Sequence, residues 1–325
     1  MKKFLTFLVV LLFVAAIGFG VYKGVAHNRA VKEANARMGV SFEDMNEKIA
    51  SEYGLKSDEK IKNVLLVGTD KRGAESGYGR ADAIIIATID QKNAQLKLTN
   101  LIEDCYLEIP GYGENKLSMA YSIGGISLLY ETIAMNFGVQ LDNYAVLQFN
   151  SLVSIIDEIG GVVVELSDFE AAYMQQNYSN SANEVQSGKF IMNGTQALAY
   201  VRIKQDAAGE FGRAVRLRKV IKSLYSDLTL KEVNSLKELI SNILKDTVTD
   251  IDSDDMRTML ASVVALSTEP LKEKTIPEEG MYQSTVMEGQ TVYVTDSDKL
   301  KEGVTDYIYN PVESSAIADT EAEAE

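Results

Sequence analysis

Two apolar runs, 64–67 and 83–89, constrain this chain more than any other feature of it. A strand with one wet face alternates apolar and polar residues, whereas a run without alternation marks a strand buried on both faces. Two such runs close together call for a sheet covered by helices on both sides. Between them lies VGTDKRGAESGYGRAD, a turn with glycines at 73, 77 and 79 that carries Asp70, Arg72, Arg80 and Asp82 at or near the strand ends. In open α/β sheets the strand ends are where ligands bind. The plain alternative is a charged surface turn, which any sheet needs.

The chain has 325 residues, room for one large or two ordinary domains, and a formal charge of -15. So acidic a protein lacks the basic footprint that nucleic acid demands, and none is expected as a partner. The single cysteine, Cys105, allows no internal disulfide and has no histidine beside it, so it reads as a small core residue. The single histidine, His27, rules out histidine-based triads and multi-histidine zinc sites for this chain acting alone.

In chain order, Phe4–Tyr22 is uncharged and mostly apolar behind Lys2 and Lys3. As a helix it is about 28 Å long, close to a bilayer's hydrocarbon core. Residues 1–23 therefore read as a cytoplasmic start and membrane anchor. A cleaved signal peptide is disfavoured because the small-residue triplet Gly18-Phe19-Gly20 lies inside the apolar run. The cations beyond the anchor outnumber those before it, against the positive-inside trend, so charge alone leaves the orientation open. Residues 24–61, with only scattered large apolar side chains, read as a stalk. Strands are expected at 62–68, 83–89, 95–101, 144–149 and 162–166. Residues 103–116, with Pro110 and several glycines, read as an irregular loop. Helices are expected at 126–137, stopped by Gly138, from Asn150 to the pair Gly160-Gly161, and from about 229 to 266. A strand at 290–294, a short element at 306–309 and a disordered acidic tail at 313–325 close the chain. The alternation predicts an α-β-α sandwich around a central mixed sheet, one domain over 62–312.

A second informative stretch is 196–218, where Arg202, Lys204, Arg213 and Arg216 invert the local charge of an acidic protein. Arg202 and Lys204 share a face if the segment is extended, and Arg213 and Arg216 share one on a helix. Alone, this reads equally as a solvated basic face. Beside Asp70 and Asp82 it forms a kit: carboxylates for one Mg²⁺, and guanidinium groups that grip phosphate oxygens with two hydrogen bonds each. With a membrane anchor, the natural ligand is a lipid carrying pyrophosphate, and chemistry of this kind needs no histidine.

The ordered motifs NVLLVGTDKRG, GRAD, EIPGYGENKLSMAYSIGG, SLVSIIDEIGGVVVEL, MNGTQALAYVR and GEFGR, spanning about 62–228, resemble the LytR-CpsA-Psr family of cell-envelope proteins. The resemblance implies a bacterial membrane-anchored protein whose α/β domain is extracytoplasmic. It also implies Mg²⁺-dependent transfer of a glycopolymer, such as a teichoic acid or capsular polysaccharide, from a polyprenyl-pyrophosphate carrier to peptidoglycan. It assigns Asp70 and Asp82 to the metal. Arg80, Arg202 and Arg213 fall to the pyrophosphate, with Arg72, Lys204 and Arg216 in support, and Asp82, Asp104 and Arg202 to catalysis. The carrier's tail would lie between the sheet and its covering helices.

The chain also departs from the family pattern. Ile102-Glu103-Asp104 stands where Pro-Arg-Asp is usual, Lys204 replaces an arginine, Glu210 an aspartate, and Ser118-Met119 an Asn-His pair. Lysine keeps the charge but loses the bidentate fork. Glu103 puts a carboxylate where a phosphate is expected, so it either turns outward, joins the metal, or lowers activity. Three readings stay open: an active ligase, a lipid-binding or regulatory paralogue, and a lipid pyrophosphatase.

Overall fold

A computed structural model describes residues 41–69, 78–148, 160–178, 185–203, 247–266, 271–287 and 289–313, with helical residues at 153–154, 156–157, 212–213, 215–217, 219–220 and 223. The anchor expected at 1–23, Asp70, Arg72, Lys204 and the tail from 314 lie outside the described residues. Among those described, no helix is long and apolar enough to cross a membrane.

The strands are β1 (Ile61–Thr69), β2 (Ala81–Asp90), β3 (Gln95–Leu101), β4 (Cys105–Ile109), β5 (Gly113–Lys116), β6 (Asn143–Gln148), β7 (Val162–Leu166), β8 (Gly188–Met192), β9 (Thr247–Thr249), β10 (Lys272–Ile276), β11 (Tyr282–Met287) and β12 (Gln290–Thr295). The helices are α1 (Phe42–Tyr53), α2 (Leu117–Phe137), α3 (Asp168–Tyr178), α4 (Gly194–Val201), α5 (Ser253–Leu266) and α6 (Ser297–Tyr309). Six strands form a central mixed sheet in the order β10-β3-β2-β1-β6-β9. The two apolar runs are its middle: β2 lies antiparallel to β1, and β6 lies parallel to β1 on the other side.

Both faces of that middle are covered, as the unbroken apolar runs require. Leu65, Val67, Ile84 and Ile86 face a core completed by Leu129, Ile133 and Phe137 of α2. Val64, Ala87 and Ile89 face the opposite way, against Met259 and Val263 of α5. Each such aliphatic side chain contributes roughly 1.5–3 kcal/mol on burial, so strands buried on both faces are what anchor the sheet.

Four expectations are corrected. Residues 42–53 are not stalk: Phe42 is buried against the rings of Tyr130 and Tyr144, and Ile49 joins the same core. The loop expected at 103–116 is the β4–β5 hairpin, in which Cys105, Leu107 and Ile109 point inward at alternate positions. Pro110 and Gly111 fall in its turn, Gly111 with φ 77°, rather than breaking a longer element. The helix expected at 126–137 is present as the second part of α2, set off by a kink at Gly125 (φ 65°, ψ -150°) from a first part that starts at Leu117. The helical region expected up to 266 holds strand β9 before α5, and the short element expected at 306–309 is the end of α6.

Candidate functional site

The site forms where β2 begins and β3 ends, next to Arg213 and Leu217 of the helical residues 212–213 and 215–217. Asp82 is the second residue of β2, and Thr69, the last of β1, pairs with Ala81 beside it. Between β3 and β4 the chain makes a tight turn closed by Cys105 N donating to the Ile102 carbonyl (3.2 Å), which sets Glu103 and Asp104 at its apex. The turn is pinned twice more. Ile102 N donates to the Ile276 carbonyl of β10 (2.9 Å), and Ser118 N, in the first turn of α2, donates to the Glu103 carbonyl (3.0 Å).

Four charged side chains alternate in sign. Arg80 Nε donates to Asp82 Oδ1 at 2.7 Å. Arg213 Nη2 lies 3.9 Å from Asp82 Oδ2, and Nη1 of the same guanidinium lies 2.5 Å from Glu103 Oε1. Asp82, Glu103 and Arg213 are all buried, so solvent screens these contacts little. Together with Asn100 and Leu217 they line a small depression. Glu103 therefore does not turn outward. Asp104 is held at 2.8 Å by Lys116 Nζ, from the end of β5. Lys116 escaped sequence reasoning because it lay in the supposed loop. The strand alternation of CYLEI was the available signal.

The cations of the second stretch are placed differently from one another. Arg202 is not extended; it ends α4 with φ -94° and ψ 0°, its N–H donating to the Ala199 and Tyr200 carbonyls. That helix is seated by the Asn193–Gln196 capping box, and Gly194 N donates to Asp157 Oδ1 (2.7 Å). A Cβ at Gly194 would come within 2.2 Å of the Val153 carbonyl oxygen, so only glycine permits this approach. Arg216, one helical turn from Arg213, has Nε 2.9 Å from Glu170 Oε1 and Nη1 2.8 Å from the Ile203 carbonyl. These two groups of its guanidinium tie α3 to the segment after α4. Burial of Glu170 opposes ionisation, but the Ser167 amide, Lys219 and Arg216 outweigh it and hold its carboxyl below the usual range. Cys105 is fully buried and its thiol is pushed up by burial, as befits a core residue.

Asp82 and Glu103 share one guanidinium, so two carboxylates converge on one organic cation. Among the described residues no group of three or more His, Cys, Asp and Glu side chains is arranged to hold a metal ion.

The sequence matches the LytR_cpsA_psr family over residues 21–307. The chain belongs to this family. It is 28% identical over 256 residues to the polyisoprenyl-teichoic acid–peptidoglycan teichoic acid transferase TagU of Enterococcus faecalis, covering 77% of this chain and 78% of that one. It is 29% identical over 261 residues to the regulatory protein MsrR of Staphylococcus aureus, covering 78% and 76%. Its fold matches a solved family structure, YwtF (TagT) with bound octaprenyl pyrophosphate lipid, with a TM-score of 0.57 at 18% identity, over 78% of this chain and 93% of that one.

Proposed function

We propose that this member of the family moves a glycopolymer from a polyprenyl-pyrophosphate carrier to peptidoglycan, outside the membrane, while anchored by Phe4–Tyr22. The observation that carries the reading is buried Asp82, set at a strand end between Arg80 and Arg213. A carboxylate flanked by two guanidiniums at this point suits a metal-bound diphosphate better than a neutral substrate. The relatives' names support the donor and the acceptor classes.

In this reading Arg80, Arg202 and Arg213 grip the pyrophosphate oxygens, with Arg72 and Lys204 in support, and Arg216 holds the scaffold that presents Arg213. Asp70 and Asp82 would hold Mg²⁺, which would supply positive charge against the transferring phosphate. The acceptor hydroxyl oxygen forms a new bond to the sugar-bearing phosphorus. The bridging P–O bond breaks, and polyprenyl monophosphate leaves. Arginines aimed at the phosphates favour this step because the charge they neutralise shifts onto the leaving group. Asp104, next to Glu103 in the turn and held by Lys116, is the candidate to receive the hydroxyl proton.

The test is transfer of a lipid-linked oligosaccharide to peptidoglycan fragments with Mg²⁺. Product that falls at least about 100-fold in Asp82→Ala is expected, and product undiminished by the substitution overturns the reading. A binding or regulatory role is the second reading, favoured by the Glu103–Arg213 pair, which occupies a guanidinium that the reaction needs. Lipid binding without product from the wild-type chain would support it, and phosphate release without an acceptor would point to a pyrophosphatase.

A further inference from the structure

We infer that the outer side of α3 is a docking strip for the acceptor, and that it grips the uncharged amino-sugar backbone of peptidoglycan by stacking. The inference rests on the preceding reading for the acceptor class, and on α3 itself for the rest. The helix buries Glu170, Ala171 and Met174. Three aromatic rings follow one another along it outside that buried face. Phe169 is 45% exposed and Tyr178 39%, and Tyr173, half-buried against the core beneath α3, links them. Ring centroids are 6.4 Å apart from Phe169 to Tyr173 and 6.3 Å from Tyr173 to Tyr178, with planes 28° and 38° from parallel, so the rings offer similarly oriented faces to one long ligand. Phe169 and Tyr173 are four apart, a spacing that steadies a helix, but that does not call for a third ring at the surface. Single exposed apolar residues are ordinary, whereas three neighbouring rings form a patch, and such patches mark binding surfaces.

The chemistry of the strip selects its occupant. The face of an aromatic ring is partly negative and attracts C–H groups, and a pyranose presents a face of C–H groups with its hydroxyls at the rim. Exposed Gln176 and Asn177 lie beside the rings and carry amides for those hydroxyls. Asn177 is fixed there by Nδ2 donating to the Tyr173 carbonyl (2.8 Å). α3 itself carries two carboxylates, Asp168 and Glu170, and no cation, so an anionic glycopolymer is repelled from it. A lipid surface is disfavoured too, because helices that lie on membranes present Lys and Arg beside their apolar face. The strip is also joined to the candidate site. Arg216 Nε lies 2.9 Å from Glu170 Oε1, next in sequence to Phe169, and Arg216 is one helical turn from Arg213. An acceptor strand laid along the rings therefore rests on the scaffold that presents Arg213. Gln175 Oε1 accepts from Val185 N (2.7 Å), which fastens the following segment to α3 and keeps the end of the row in place.

The experiment is co-sedimentation of the full chain, in detergent micelles, with insoluble peptidoglycan sacculi stripped of attached polymers. Chitohexaose, an uncharged oligomer of β-1,4-linked N-acetylglucosamine, serves as competitor. The wild-type chain is expected to pellet with the sacculi and to be displaced by chitohexaose. Phe169→Ala combined with Tyr178→Ala is expected to weaken binding about tenfold or more, whereas Phe169→Tyr, which keeps the ring, stays within about twofold of wild type. If the double variant does not fold, Tyr178→Ser alone takes its place, with a loss of about threefold or more. No pelleting of the wild-type chain, or undiminished binding by the folded variant, overturns the proposal. Sacculus binding that chitohexaose leaves intact overturns it as well, by assigning recognition to the peptide stems. A matching loss of farnesyl monophosphate affinity does the same, since it would mean that the variant disturbs the diphosphate site, and so does a change of oligomeric state, which would make the strip a contact between copies. Pelleting needs no turnover, so failure of the transferase reading and failure of this one are told apart.

Discussion

At the scale of single residues, partners decide what a charge does. Arg213 and Arg216 lie three apart on one helical stretch and read alike in sequence, yet Arg213 bridges Glu103 and Asp82 while Arg216 ties Glu170 to the Ile203 carbonyl. Residue types were legible at this scale: both carboxylate and guanidinium candidates were named, and Asp82, Arg80 and Arg213 do come together. What was not legible is pairing, since Glu103 and Arg213 are 110 positions apart and no local pattern links them. Asp250 makes the same point with pH. It accepts hydrogen bonds from Tyr144 N (2.8 Å) and Asn143 Nδ2 (3.1 Å), and burial pushes its carboxyl up to about 7. Its ordinary value is about 3.9, so below that pH both folded and unfolded chains hold the proton. Between about pH 4 and 7 the unfolded chain loses the proton first, so stability falls as pH rises and levels off above 7. Asp250→Asn removes that slope. Urea unfolding at pH 4.5 and 7.5 is expected to show the variant gaining about 2 kcal/mol on wild type between the two pH values, a figure kept below the full shift because the side chain retains some solvent contact. A constant difference would show that Asp250 ionises normally in the folded chain.

At the scale of elements, apolar periodicity gave the strands of the central sheet, and backbone exceptions gave what it missed. Gly125 is the sharpest case. Its positive φ interrupts α2, and a Cβ there would come within 2.6 Å of the Tyr78 ring, which also packs edge-on against Tyr121 at 5.9 Å. Tyr78 sits two residues before Arg80, so the break in α2 receives the end of the loop that delivers Arg80 to Asp82. Gly125→Ala is expected to lower stability by about 1–3 kcal/mol from backbone strain and to weaken lipid-phosphate binding by moving Arg80. Adding Tyr78→Ala removes the clash but not the strained φ, so the double variant should recover part of the stability, read by thermal unfolding. No recovery would mean that the ring contact carries none of the effect. The sequence shows Gly124-Gly125 but not the ring that meets it. Likewise the β4–β5 hairpin was hidden by its own turn residues, although alternate burial along Cys105–Ile109 was there to be read.

At the scale of the whole molecule, a buried pair fixes the C-terminal helix to the sheet. Lys97 Nζ, on β3, lies 2.7 Å from Asp90 Oδ2 and donates to the carbonyls of Ile308 (2.8 Å) and Asn310 (2.7 Å) at the end of α6. Neither side chain reaches solvent, and burial lowers the lysine's pKa against the raising effect of Asp90. Gln95 adds a two-way pairing with the Val312 backbone. Lys97→Met leaves Asp90 charged and buried, and should cost about 3–5 kcal/mol in urea unfolding, with much of the loss returned by adding Asp90→Asn. A loss under about 1 kcal/mol would show that the pair is no clamp. By itself the sequence determined that a sheet buried on both faces lies at the centre, that its strand ends carry carboxylates and arginines, and that the chain resembles one family. Those properties are local: apolar runs, motif order and residue type are all written along the chain. Only the tertiary structure decided that α1 belongs to the core, that Arg216 braces α3, that Lys97 anchors α6, and that Glu103 turns inward to Arg213. Each of these is a contact between segments far apart in the chain, set by how whole elements pack, and no single stretch contains both partners.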